Sequence, residues 1–165
     1  MNFNFSKDKI YNFIATFFWA GSISPVAPGT VGSIAASIVA LPFCWFSSNN
    51  SATFLILSIV TFAVGVYCSQ KIYEVTNNKD PQYVVIDEAA GIFFTIFLVS
   101  IFTKITFGKV LFSLIAFRIF DIWKPYPIRD IEKTVSDNHQ LVGFSIMVDD
   151  IVAAVYAACL VILFR

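Results

Sequence analysis

Five carboxylates stand at the edges of apolar runs. Asp87 and Glu88 are adjacent and precede 15 uncharged residues; Asp149 and Asp150 are adjacent, follow the apolar run 144–148 and precede 14 uncharged residues. Asp121 lies between them, three residues after Arg118 and three before Lys124, a spacing that sets all three along one helix face. Ionisable groups at the border of a membrane segment are functional candidates, because little else offsets their desolvation. Gathered carboxylates repel one another, and either take up protons or hold a cation. An all-oxygen set without paired histidines selects a hard ion, here magnesium. Magnesium beside Arg118, Lys124 and Arg129 is what phosphoryl chemistry needs. Cations neutralise phosphate oxygens while a carboxylate orients or deprotonates the attacking water. Blander explanations cover part of this pattern. The helix macrodipole favours an acid in a first turn, which accounts for one of Asp87 and Glu88 more easily than for both. A salt-bridged helix end would account for residues 118–124.

A segment rich in glycine and hydroxyl residues, Gly21-Ser-Ile-Ser-Pro-Val-Ala-Pro-Gly-Thr-Val-Gly-Ser33, precedes the first long apolar run. Small residues ahead of a helix start let backbone amides approach an anion, which makes Pro28, Gly29, Thr30 and Ser33 candidate substrate-binding positions. An ordinary connector with Thr30 or Ser33 as N-cap is the alternative. His139 stands alone in a polar stretch and reads as a solvated residue, with a general-acid role as the alternative. Cys44, Cys68 and Cys159 lie in apolar runs, an odd number without short spacing, which gives neither a disulfide framework nor a zinc site. Cys159 and Arg165 spell the C-x5-R of cysteine phosphatases. The five bulky apolar residues between them cannot wrap a phosphate.

The elements that must position these residues are membrane helices. Of 165 residues 58% are hydrophobic and only 13% charged, whereas a soluble domain has about 25% charged. With 11 basic and 11 acidic residues the net charge is zero, so no nucleic-acid partner is expected. No Asp, Glu, Lys or Arg occurs between Ile10 and Gln70. Residues 33–47, 52–69, 89–103, 109–122 and 146–164 read as helical spans, the third and fourth short for a bilayer core. The start, with Lys7 and Lys9 before residues 10–20, mimics a signal peptide, yet Tyr11, Asn12 and Thr16 favour an amphipathic or half-inserted helix. The expected fold is therefore an all-α integral membrane bundle of about five spans plus that N-terminal helix, in one domain over residues 1–165. With the N-terminus inside, Lys7, Lys9, Lys71, Lys79, Arg118, Lys124, Arg129 and Lys133 are cytoplasmic, against Lys104, Lys109 and Arg165 outside. That split obeys the positive-inside rule and brings every carboxylate to the cytoplasmic face.

Four fragments in series, Ser24-Pro-Val-Ala-Pro-Gly-Thr-Val-Gly-Ser33, Ile86-Asp-Glu88 with Gly91, Phe117-Arg-Ile-Phe-Asp-Ile-Trp-Lys-Pro-Tyr-Pro-Ile128 and Ile146-Met-Val-Asp-Asp150, resemble the phosphatidylglycerophosphatase A family. The resemblance covers about residues 21–154. It implies a helical membrane enzyme that removes the terminal phosphate of phosphatidylglycerophosphate to give phosphatidylglycerol, with magnesium required. It implies a phospholipid substrate, and with it the bacterial inner membrane as the expected location; the cytoplasmic side of the site follows from the loop charges. Asp87, Asp121, Asp149 and Asp150 are the expected metal ligands; Asp87, Glu88 and Asp149 are the expected catalytic carboxylates, with the general base left open. Arg118, Lys124 and Arg129 are expected to hold the phosphate. Two departures stand out: Ser145 and Ala154 occupy positions where the family tends to have glycine. A small cation transporter or channel is the alternative in another class, but Lys and Arg beside the acids would repel its cargo. A phospholipid headgroup transferase is a further alternative, whose D-G-x2-A-R-type signature is missing. Oligomeric state is not legible in the sequence.

Overall fold

The computed structural model describes residues 7–46, 51–79, 81–126, 128 and 138–164. They form six α-helices and one short 3-10 turn, Ala20–Ser22, with no strand among the described residues. The helices are α1 (Lys7–Ala15), α2 (Pro28–Phe46), α3 (Ser51–Thr76), α4 (Ile86–Phe102), α5 (Phe107–Trp123) and α6 (Val142–Leu163).

Helix α3, with 26 residues, and α6, with 22, are long and apolar enough to cross a membrane. A soluble core helix passes the same test, but such a helix is buried. Only 22% of the most apolar 18-residue window of α3 is covered by the rest of the protein, and 44% of that of α6. Ile56, Ile59, Val60 and Val64 of α3 all face outward. Helices α4 and α5 have 17 residues each, at the lower limit for a crossing.

The sequence reading placed residues 28–32 in a loop. They are the first turn and a half of α2 instead. Proline is at home at a helix start, where its missing N–H leaves no hydrogen bond unmade, and Ser24 Oγ accepts from Ala27 N just ahead of it (3.3 Å).

Helix α4 is the hub, packed by α2, α3, α5 and α6. Ile92, Phe93, Ile96 and Val99 are fully buried, and Ala153, Ala154, Ala157 and Ala158 present a small face from α6. Hydroxyls tie the helices across these seams: Ser58 Oγ donates to Ala90 O at 3.2 Å, and Ser100 Oγ to Ser51 Oγ at 2.9 Å. Close helix contacts exclude a side chain at Gly91 and Gly143. A Cβ on Gly91 would strike the Phe117 ring and approach Asp150 O to 3.2 Å; one on Gly143 would collide with Val66 O. Gly143 N donates to Gln70 Oε1 at 2.9 Å, which pins α6 to α3 there. Helix α1 packs against α3 through Tyr11 and Tyr67, and its last carbonyl, Ala15 O, accepts from Val85 N at 2.9 Å. That bond fixes the approach to α4.

Candidate active site

One end of the bundle gathers the starts of α2, α4 and α6 and the end of α5. A cavity of about 340 Å³ opens there, lined by Asp87, Glu88, Asp121, Asp149 and Asp150. All five carboxylates singled out in the sequence therefore share one space. Carboxylate oxygens of Asp87, Glu88 and Asp150 lie within 4.8 Å of one another. Asp87 and Glu88 occupy the first turn of α4, ahead of its uncharged stretch, and Asp87 Oδ1 accepts from Glu88 N at 3.0 Å. Asp150 comes from the third turn of α6 and is 3% exposed. The close approach of α4 to α6 at Gly91, one turn beyond Asp87, brings the two sets of acids together.

The remaining two acids have cationic partners. Arg118 donates to Asp121 Oδ2 at 2.5 Å and lies 3.5 Å from Glu88 Oε1. Lys124 Nζ donates to Asp149 Oδ2 at 2.6 Å. Glu88 is thus ion-paired as well; Asp87, Glu88 and Asp150 are the carboxylates whose oxygens approach one another within 4.8 Å, and Asp121 and Asp149 line the same cavity beside them. Lys124 caps α5 in the left-handed region, at φ 44° and ψ 65°. That conformation is uncommon for a residue with a side chain, and it bends the chain so that the ammonium turns back into the cavity.

Glu88 Oε2 and Asp150 Oδ2 are buried, and no donor among the described residues reaches them. Buried acceptors with nothing donating to them are costly. A hard cation would satisfy both oxygens, so the donor set fits magnesium in kind, all oxygen and anionic.

Pro28 and Gly29 line the cavity at the N-terminus of α2. A Cβ on Gly29 would run into Glu88 Oε1, so glycine here lets α2 come against the acids. Thr30 faces a separate apolar groove. Ser33 turns its hydroxyl back to Gly29 O at 2.8 Å and is fully buried, so it braces the helix start and lies off the cavity wall. Arg129 falls outside the described residues. Ser145, at one of the two departures, does line the cavity.

Lys79 and Gln82 were missed as site residues. Both line the cavity from the connector between α3 and α4. Lys79 sits in a polar Asn-Asn-Lys-Asp stretch that looks like any linker, and only its distance of eight residues from Asp87 hinted at proximity. His139 is exposed, as expected, yet its ring stacks on Tyr73 and hydrogen-bonds the Tyr73 hydroxyl, away from the acids. Cys44, Cys68 and Cys159 are free thiols, none of them lining the cavity.

The sequence profile described as Phosphatidylglycerophosphatase A matches residues 13–165, a range that takes in every cavity residue. The chain belongs to the phosphatidylglycerophosphatase A family. As a member it is an enzyme, a phosphatase acting on a phosphoester. It is 34% identical over 148 residues to the phosphatidylglycerophosphatase A of Haemophilus influenzae, covering 90% of this chain and 84% of that protein. To the phosphatidylglycerophosphatase A of Escherichia coli it is 33% identical over 154 residues, covering 90% and 79%. A Bacteroides thetaiotaomicron protein provisionally named a phosphatidylinositol-3-phosphatase is 34% identical over 155 residues, covering 92% and 91%. No solved structure matches significantly.

Proposed function

We propose that this phosphatidylglycerophosphatase A family member hydrolyses phosphatidylglycerophosphate to phosphatidylglycerol and phosphate, with magnesium held by Asp87, Glu88 and Asp150. The observation that carries this reading is the convergence of those three carboxylates, within 4.8 Å of one another, beside Arg118 and Lys124 in one cavity. When bound, the metal supplies charge neutralisation at the phosphoryl group and a bound water of lowered pKa. The chain's own residues do the rest. Lys124, Arg118 and the α2 N-terminus at Gly29 draw the phosphate in. Asp149 and Asp121 hold those two cations in place. A cavity carboxylate accepts a proton as the water oxygen bonds to phosphorus, the bond from phosphorus to the glycerol oxygen breaks, and that oxygen takes the proton back from the carboxyl to leave as the alcohol. No thiol takes part. Arg118 and Lys124 also argue against a cation-conducting role for the same acids.

In the membrane, the reading places about five helical spans, α2 to α6, in the bacterial inner membrane. The N-terminal helix lies along the surface, and the cavity faces the cytoplasm. The lipid-sized apolar exposure of α3 and the charge asymmetry of the loops support it.

Phosphate release by the purified protein from a panel of phosphatidylglycerophosphate, phosphatidylinositol 3-phosphate and phosphatidic acid, with and without magnesium, tests the assignment. Turnover of the first, dependent on magnesium and exceeding the other two at least about tenfold in kcat/KM, is expected. Faster turnover of phosphatidylinositol 3-phosphate would move this chain to the substrate in the Bacteroides relative's name.

A further inference from the structure

A second cavity, of about 760 Å³, lies between α2 and α5. Its walls are Ile34 on α2 and Leu114, Ile115, Ile119, Ile122 and Trp123 on α5, and Thr30 and Arg118 stand at its polar positions. The α5 residues recur at intervals of three and four, which stacks them along one helix face. That face is not used up by packing inside the bundle: Ile34, Ile115, Ile119, Ile122 and Trp123 are each more than 40% exposed. Arg118 lines this groove and the acidic cavity alike. One guanidinium therefore forms the shared wall between a hydrocarbon-lined channel and an anion-binding, acid-lined chamber. That pairing is complementary to an amphiphile, a phosphate ester carried on hydrocarbon, and poorly suited to a water-soluble sugar phosphate or nucleotide.

From this continuity we infer that the α2–α5 groove takes an acyl chain of the lipid substrate and sets the headgroup beside Arg118. The inference rests on the lipid phosphatase reading and adds where the hydrocarbon is held. The phosphate is gripped inside the cavity, the acyl chain lies between Ile34 and the α5 isoleucines, and the glycerol backbone passes Arg118. Chain length then contributes to recognition, and the groove walls set that contribution.

The test compares phosphatidylglycerophosphate bearing two oleoyl chains, in mixed micelles, with the same lipid bearing two hexanoyl chains as a soluble monomer. The proteins are the unsubstituted chain, Ile34→Trp, Ile119→Trp and Ile59→Trp. Ile34 and Ile119 sit on opposite walls of the groove, whereas Ile59 is exposed on α3, well away from it. Filling the groove is expected to lower the oleoyl-to-hexanoyl ratio of kcat/KM about tenfold in both wall variants, the scale of one overpacked side chain. Ile59→Trp should leave the ratio unchanged. Hexanoyl turnover reports that the wall variants remain folded. An equal loss on both substrates, or the same selective loss in Ile59→Trp, would overturn the groove assignment and leave the phosphatase reading standing. Failure of the unsubstituted protein to release phosphate from either lipid would remove that reading, and the groove's role with it.

Discussion

Lys124 combines two features that separate experimentally. Its ammonium holds Asp149 Oδ2 at 2.6 Å, and its backbone sits in the left-handed region at φ 44°. A left-handed residue with a Cβ costs about 1–2 kcal/mol, which glycine avoids. Lys124→Ala and Lys124→Gly both remove the cation and its ion pair with Asp149, so each should raise KM for the lipid about tenfold or more. They should differ in stability, with the glycine variant about 1 kcal/mol the more stable by denaturant unfolding. Equal stabilities would mean that the backbone there is unstrained; unchanged kinetics in both would place the phosphate elsewhere. The acids themselves were legible as residues, because carboxylates bordering long uncharged runs are conspicuous. Their grouping was not. Which acids pair with Arg118 and Lys124, and which three approach one another, depends on side-chain directions that spacing alone does not give. Lys79 stayed hidden for the same reason, since it reaches the cavity from a connector without periodicity.

At the level of elements, the site depends on close helix approach at glycines. Gly91→Ala would drive a methyl into the Phe117 ring and towards Asp150 O, separating the two helices that carry Asp87 and Asp150. Phosphate release should fall at least about tenfold, and thermal stability by roughly 1–3 kcal/mol, the usual cost of overpacking. Gly143→Ala lies further from the acids and collides with α3 backbone. It should lower the melting temperature while changing KM little. If Gly91→Ala keeps full activity at unaltered stability, the α4–α6 seam is looser than described. Helix existence could be read from the uncharged runs, and α4, α5 and α6 fall within a few residues of the expected spans. The start of α2 was misplaced because proline and glycine look like loop residues until Pro28 is recognised as a first-turn residue. The extension of α3 through Thr76 carries Lys71 and Glu74 past the apolar run, paired with each other at 2.7 Å. An ion pair one helical turn apart on an exposed helix end leaves little mark in a hydropathy pattern.

For the molecule as a whole, the bundle has an acidic end and an opposite end where α4 passes into α5 around Lys104. With the three cysteines replaced by alanine, Lys79→Cys and Lys104→Cys should label from opposite sides of a sealed inner-membrane vesicle, Lys79→Cys from the cytoplasmic side. Labelling of both from one side would break the five-span arrangement. The apolar character of the helices was legible from composition alone, since 13% charge is about half the share usual in a soluble domain. The groove beside Arg118 was not, because it is formed jointly by α2 and α5, whose nearest ends, Phe46 and Phe107, lie 61 residues apart. In the proposed mechanism Asp87, Glu88 and Asp150 act as one metal-dependent unit without a thiol nucleophile. Its most direct test is a magnesium titration of phosphatidylglycerophosphate hydrolysis by Asp150→Asn and Cys159→Ala at matched expression and helix content. Asp150→Asn keeps the side chain's shape and removes its charge, so turnover at saturating magnesium should fall at least about a hundredfold. Cys159→Ala should follow the unsubstituted enzyme throughout. An active Asp150→Asn protein with an unshifted magnesium curve, or an inactive but folded Cys159→Ala protein, would contradict the account.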